Sequence, residues 1–408
     1  MRLLNRTADA CAAPVIPARQ TPPPARPPRL PQIDVMRLLI CASVVATHVV
    51  SNANPLQSVP PNAVVNALHY TRQAFFFISA LVLVHVSGPR VGAGGWLGHA
   101  PGQMRRRVSV LGVPYVLWSV FYAVLGLATA YSLWAAERLP WTWFVGLVQG
   151  TDGYHMYFLL VSVEFAVVFP LFVKLLHATR GHHLALLLGS GAVELATMAV
   201  FHYVYQPDWW WRPVAGESSL TAYQFWLVAG GVAALHLDRF DRWLSRHRAL
   251  VALSLLGTAL VATALFLADV AHGELPEFAG RSLQPVTVPL SIAAIGAGYL
   301  VSAWIAGTRR PWVRRTLVGG TYLSFGIYLT HPAILTGLLY LQRRLPGGMA
   351  WHPVLATTLI GVLDFGLAVA VSWLISRTRW SKALIGRPRP PAPPRERAGE
   401  PAPAATTS

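Results

Sequence analysis

Nine ionisable side chains interrupt the long apolar stretches of this sequence: Asp34, Arg37, His48, Arg72, His85, Glu164, Glu194, His331 and Asp364. Such a group inside a bilayer is costly unless it is paired or hydrated, so each is a candidate for chemistry. Arg37 and His48 lie eleven positions apart, three helical turns plus about 20°, so a helix places both on one face about 16 Å apart along its axis. Asp34, three residues before Arg37, can pair with it. A cation at one end of a stripe and a titratable imidazole at the other suit an anionic substrate whose reactive group must meet a base. The alternative is structural, with Arg37 as an interfacial anchor and His48 as a hydrogen-bonded packing residue.

A second polar stripe runs through Ser324, Tyr328 and His331, spaced i, i+4, i+7 on one helix face. Pro332 follows at once and cannot donate to the helix, so a bend here frees carbonyls beside a cavity or simply stabilises a kink. In the segment opening His155-Met156-Tyr157, Tyr157 and Glu164 are seven apart on one face, and His155 points the other way. Glu164 is expected to pair with a cation on a neighbouring helix, in a substrate site or a structural ion pair. Arg72, beside Phe75-Phe76-Phe77, either snorkels outward or contacts an acceptor. Glu194 and Asp364 stand in no interpretable motif and are assigned to structural pairing. Arg105-Arg106-Arg107 precedes another apolar run. It serves either topology or the binding of phosphate oxygens, which arginine forks take in pairs.

These residues must be held by helices in a membrane. The 408 residues are 54% hydrophobic and 12% charged, with a formal net charge of +17; a soluble domain carries about 25% charged residues. Basic charge alone suggests a nucleic-acid partner, but the apolar runs exclude that reading. Windows long enough to cross a hydrocarbon core fall at 34–51, 66–86, 108–130, 154–176, 184–204, 220–237, 249–271, 286–307, 317–341 and 353–376. The first and sixth are the shortest. Placing the N-terminus inside puts 26 of the 33 Lys and Arg in cytoplasmic segments, as the positive-inside rule requires.

The expected fold is therefore all-α, a polytopic bundle of about ten transmembrane helices over 33–378 with both termini cytoplasmic. Residues 1–32 and 379–408 read as basic, proline-rich tails lying against anionic lipid. Cys11 and Cys41 make neither a disulfide framework nor a multi-cysteine metal site, and no metal is expected.

The order of these motifs resembles the acyltransferase-3 family of integral membrane acyltransferases. The resemblance rests on Asp34 and Arg37 with ten residues before His48, on Phe75 to Ala80, and on the basic run before Val113-Pro114-Tyr115. Tyr157-Phe158-Leu159 with Glu164 and the stretch from Ser324 to Pro332 complete it. It implies transfer of an acyl group, acetyl first among candidates, from cytoplasmic acyl-CoA to a hydroxyl of a glycan, lipid-linked sugar or secondary metabolite. It also implies that His48 is the catalytic histidine and general base, Arg37 its motif partner and His331 the second functional histidine. Arg106 and Arg107, with Arg105, correspond to the residues that hold the CoA phosphates. The family's second basic residue three positions after Arg106 is Ser109 here, and its Ser-Gly pair is Ser79-Ala80. Glu164, Tyr328 and His331 would position the imidazole or the acceptor, with Asp34, Arg72, Tyr157 and Ser324 in the substrate site. Expected partners are membrane lipids and the acceptor, at the cell membrane. The competing reading is a polysaccharide or lipid-linked-sugar exporter whose polar stripe lines a pathway.

Overall fold

The computed structural model describes residues 28–91, 96–130, 133–204, 218–308, 310–344 and 352–389. Of the expected tails at 1–32 and 379–408, residues 1–27 and 390–408 lie outside the described residues. Every regular element among the described residues is helical. In chain order they are α1 (Pro31–Ala53), α2 (Val59–Leu68), α3 (Tyr70–Val91), α4 (Trp96–Ala130), α5 (Leu133–Gln149), α6 (Met156–Ala178), α7 (His183–Ala199) and α8 (Gln224–Leu235). There follow α9 (Leu237–Arg246), α10 (Arg248–Ala271), α11 (Pro276–Ala279), α12 (Thr287–Ala306), α13 (Pro311–Arg344), α14 (Pro353–Arg377) and α15 (Ser381–Ile385). Nine described helices or helix pairs are long and apolar enough to cross a membrane, with α2 and α3 together forming the second.

The sixth expected span takes a different form. Its helical part, Leu220–Leu235, meets α9 at 97°. Sixteen helical residues rise roughly 24 Å, short of the ~30 Å hydrocarbon core. α8 is buried on every side, from Phe225 to Ala233, as an apolar helix without a polar face must be. Glu194 of α7 serves this packing. Its carboxylate accepts from Trp226 Nε1 at 3.0 Å, Gln224 Nε2 at 3.3 Å and the Phe225 backbone N–H at 3.5 Å. It thus satisfies donors that the start of a helix leaves open, and its partner is a helix end and not a cation.

α1 starts at Pro31, whose missing N–H costs nothing in the first turn. One stripe of the helix, Ile33, Met36, Ile40 and Val44, packs into the main core with α3, α6 and α12. A second stripe, Cys41, Val45 and Val49, packs with Leu323, Ile327 and Leu335 of α13 and Ile360 of α14. Held on two sides, α1 carries Arg37 and His48 on a fixed rod. The packed unit also reaches beyond the expected boundary at 378: Ile385 of α15 is buried, Trp118 Nε1 donates to the Leu384 carbonyl at 2.9 Å, and Tyr322 Oη donates to Pro388 at 2.7 Å.

Candidate active site

His48 sits near the end of α1, and its ring centroid lies 5.5 Å from that of His331 on α13 and 4.4 Å from that of Tyr154. A third imidazole, His155, completes the cluster at 5.8 Å from His331, 5.4 Å from Tyr328 and 4.8 Å from Tyr122 of α4. His155 and Tyr154 come from the loop before α6. The face assignment made for His155 in the sequence presumed helical geometry, but His155 precedes the first turn, with φ −100° and ψ −11°.

The helix turn before Pro332 sets the state of the His331 ring. α13 continues through this proline, which has no N–H to give the Tyr328 carbonyl. His331 Nδ1 turns back instead, bonding the Ile327 carbonyl at 3.1 Å and interacting with the Tyr328 backbone. A carbonyl only accepts, so in the neutral ring Nδ1 carries the proton and Nε2 keeps its lone pair. Nε2 is buried without a hydrogen-bond partner among the described residues, which is the tautomer of a base. Tyr328 Oη donates to the His155 carbonyl at 2.5 Å and Tyr122 Oη to the Leu329 carbonyl at 2.6 Å, pinning the loop and α4 to the turn that carries His331.

Asp364 of α14 is fully buried, with both carboxylate oxygens lacking a hydrogen-bond partner among the described residues. The structural pairing expected of it is not found among the described residues. Asn54 Nδ2 bonds Thr357 Oγ1 at 3.2 Å, and Gly361 lies against Val49, so the turn holding Asp364 is level with His48. Tyr154 and Tyr122 are electrostatic neighbours of the carboxylate. Both ring nitrogens of His155 are also buried and unpartnered. A buried unsatisfied polar group costs roughly 1–3 kcal/mol, so several converging from α1, α13, α14 and one loop mark a place built to meet a polar partner. Tyr154 and Tyr122 are not among the candidates read from the sequence, which assigns Asp364 to structural pairing and turns His155 away from the site; no motif joins the four, and chain packing alone brings them together.

The other expected residues are distributed along the bundle. Arg72 points inward: Nη1 donates to Ser282 Oγ at 2.6 Å, and the guanidinium lies 5.4 Å from the Tyr157 ring centroid. It is an electrostatic neighbour of His48 and Tyr328. Asp34 pairs with Arg29 and not with Arg37; Arg37 is left beside Arg387, Asp34 and Arg29 without an ion pair among the described residues. Ser324 Oγ is committed to the Thr321 carbonyl at 3.0 Å. Glu164 accepts from the Leu220 backbone N–H and has no cation partner among the described residues. Arg107 of α4 packs against α3 and α6, with Nη2 2.9 Å from Ser87 Oγ and its guanidinium over Phe169, whereas Arg105 and Arg106 are exposed. His85 Nε2 lies 3.0 Å from the Pro28 carbonyl, so this end of α3 and the arginines beside it share the Arg37 end of the bundle.

The loop that delivers Tyr154 and His155 is anchored by Asp152, which accepts from Ser119 Oγ; Trp143 Nε1 in turn donates to Ser119 at 3.1 Å. Burial pushes the Asp152 carboxyl up from 3.8 to about 6. The folded chain therefore holds this proton more tightly than the unfolded chain. The resulting stability is whole below the ordinary value and is lost as the pH rises through about 6. Asp152→Asn removes the titration, so its Tm in detergent will fall less than wild type between about pH 4 and pH 7. Equal slopes would show that this carboxyl titrates in its ordinary range.

A stripe ending in clustered imidazoles, with the exposed Arg105 and Arg106 at the opposite end, agrees with the one comparison that matches. A family model described as an acyltransferase domain, that of the acyltransferase-3 family, covers residues 30–377. The chain belongs to this family. No curated protein matches the chain, and no solved structure does. The acyltransferase-3 match runs from the residue before α1 to the last residue of α14, so one domain contains both the histidine cluster and the arginines. It establishes a membrane acyltransferase in general.

Proposed function

We propose that this acyltransferase moves an acyl group, acetyl as the first expectation, from acyl-CoA to a hydroxyl of a glycan, lipid-linked sugar or small metabolite. The observation that carries the proposal is the histidine cluster at the far end of the α1 stripe from the arginines. With the N-terminus inside, as the positive charges favour, the Arg37 end faces the cytoplasm, where acyl-CoA is made. Arg105 and Arg106 take CoA phosphates there, and Arg107 positions the start of α4. Arg37 is about 16 Å from His48 along the axis, which suits it to an anionic part of the donor and not to the reacting carbon.

At the cluster, His48 removes the acceptor hydroxyl's proton as the oxygen attacks the thioester carbon. The tetrahedral intermediate collapses, the C–S bond breaks, and the imidazolium returns the proton to the CoA thiolate. His331, with its free Nε2, and His155 and Asp364 hold the acceptor's hydroxyls, and Tyr122, Tyr154 and Tyr328 offer ring faces to it. In a two-step route the acyl group rests first on a histidine nitrogen, CoA leaves, and the acceptor oxygen then attacks that acyl-imidazole. Membership of an acyltransferase family favours either route over the exporter reading.

The test uses purified protein in vesicles with labelled acetyl-CoA and a glycan extract, following label transfer and CoA release. Arg105→Gln/Arg106→Gln is expected to raise the KM for acetyl-CoA about tenfold with kcat little changed. That corresponds to ~1.4 kcal/mol of lost phosphate binding. Asp364→Asn is expected to reduce transfer to the acceptor while leaving the KM for acetyl-CoA unchanged. Absence of both acylated product and CoA release in the wild type would refute the donor assignment.

A further inference from the structure

A cavity of about 1010 Å³ opens between α7, α8, α10 and α12 over Phe77 of α3, and none of its lining residues belongs to the histidine cluster. Its walls are apolar, with Ala229, Ala233, Ala293 and Gly296 providing the room, and Leu184, Leu250 and Ile292 on the wall are exposed. One end is different. His183, His236 and Arg239 gather there, and no carboxylate stands among the described lining residues.

His183 Nε2 lies 3.0 Å from the Leu176 carbonyl and therefore donates to it, so Nδ1 of the neutral ring accepts from His236 Nε2 at 2.8 Å. Arg239 is exposed one turn beyond His236. It lies on α9, which leaves α8 at 97° with Leu244 buried, Trp243 half exposed and three arginines, Arg239, Arg242 and Arg246, outward with one acid, Asp238. That is the placement of a helix lying in the membrane interface, basic on its wet face. The cleft descends from this interface: His236 and Phe225, both on its wall, are eleven residues apart, roughly 16 Å along the helix. That depth equals about half of a ~30 Å hydrocarbon core, one leaflet.

We propose that this cleft is a binding site for one anionic phospholipid of the leaflet in which α9 lies. The phosphate rests against Arg239 beside the His183–His236 pair, and an acyl chain descends past Ala233 and Ala229 towards Phe225. An apolar cleft open sideways to lipid favours a chain over water, because each buried CH2 contributes about 0.8 kcal/mol. The cationic mouth then selects an anionic headgroup over a zwitterionic one.

The experiment exchanges the full chain into nanodiscs of phosphatidylcholine with a minority of phosphatidylglycerol, then counts retained lipids by native mass spectrometry. In parallel, the Tm in detergent is followed with added phosphatidylglycerol, phosphatidylcholine, palmitoyl-CoA or inorganic phosphate. One retained phosphatidylglycerol is expected, with a Tm rise that the other three additives do not reproduce. Arg239→Gln should lower retention about fivefold, the equivalent of ~1 kcal/mol for one basic residue at an anionic surface, and Arg246→Gln, off the cleft, should not. Ala229→Trp, checked for helix content by circular dichroism, should abolish retention by filling the chain's path.

Equal retention of phosphatidylcholine, or undiminished binding in both Arg239→Gln and Ala229→Trp, would overturn the proposal. A Tm rise with phosphate alone would reduce the site to an anion site without a chain. Displacement of phosphatidylglycerol by palmitoyl-CoA would give the cleft to an acyl donor instead.

Discussion

His48→Ala will lower acyl transfer by about 10²- to 10⁴-fold, the usual contribution of a positioned general base, without loss of expression or of acetyl-CoA binding. Three features favour so large an effect. The ring belongs to a helix gripped on two faces, so no other side chain can move into its place. The other two imidazoles of the cluster, His331 and His155, belong to a turn of α13 and a loop that Tyr122 and Tyr328 pin through backbone carbonyls, so neither ring swings into the place of His48. The arginines proposed to bind the donor stand at the opposite end of the bundle, so on that proposal the KM for acetyl-CoA is insulated from the change. His331→Gln separates the roles: its carboxamide can still donate to the Ile327 carbonyl but supplies no basic nitrogen. A transfer rate that falls with His48→Ala and not with His331→Gln assigns the proton to His48. The reverse result would move the base to His331. A burst of CoA release from labelled acetyl-CoA in the absence of acceptor would mark the acyl-histidine route.

Gly230→Ala will unfold or severely destabilise the protein, although it adds one methyl group far from the chemistry. A Cβ on Gly230 would overlap the Phe77 carbonyl oxygen and press the Ala80 Cβ at 3.1 Å. The obstruction is backbone on one side and a packed alanine on the other, so neither retreats cheaply. Small residues of this kind let membrane helices approach closely where lipid provides no hydrophobic drive, and α3 carries Arg72 and Phe75 to the site from this contact. The expected cost is about 3 kcal/mol, at the upper end of overpacking effects. It will be read as a lower Tm in detergent and a smaller monodisperse yield. Gly257→Ala on α10 is the control, since nothing lies within 4 Å of its new methyl group; it should be neutral or stabilising by ~0.5–1 kcal/mol. Equal stability of the two variants would refute the close packing of α3 on α8.

The contrast between these two positions shows how information is divided in this chain. Arg37 and His48 are legible in the sequence because one helix holds both, and 3.6 residues per turn fixes their relation before any tertiary contact forms. The same holds for Tyr328 and His331, and Pro332 announces which carbonyl will need a partner. Apolar windows and charge counts likewise reveal the helices, because a bilayer leaves the backbone few alternatives to the helix. The sixth window exposed the limit of that rule: its length was ambiguous, and nothing periodic in it foretells the 97° turn into α9.

What the tertiary structure alone decided is which polar groups meet. Asp34 was nearest in sequence to Arg37, yet Arg29 took it. Glu194, a solitary acid in an apolar run, met a helix end through Trp226, Gln224 and Phe225. Asp364 and His155 had no periodic partner to give them away, since one is alone on its helix and the other lies just outside one. Their convergence with His48 and His331 depends on contacts across four separate segments. Local periodicity carries no record of such contacts, because they are fixed only when the helices pack.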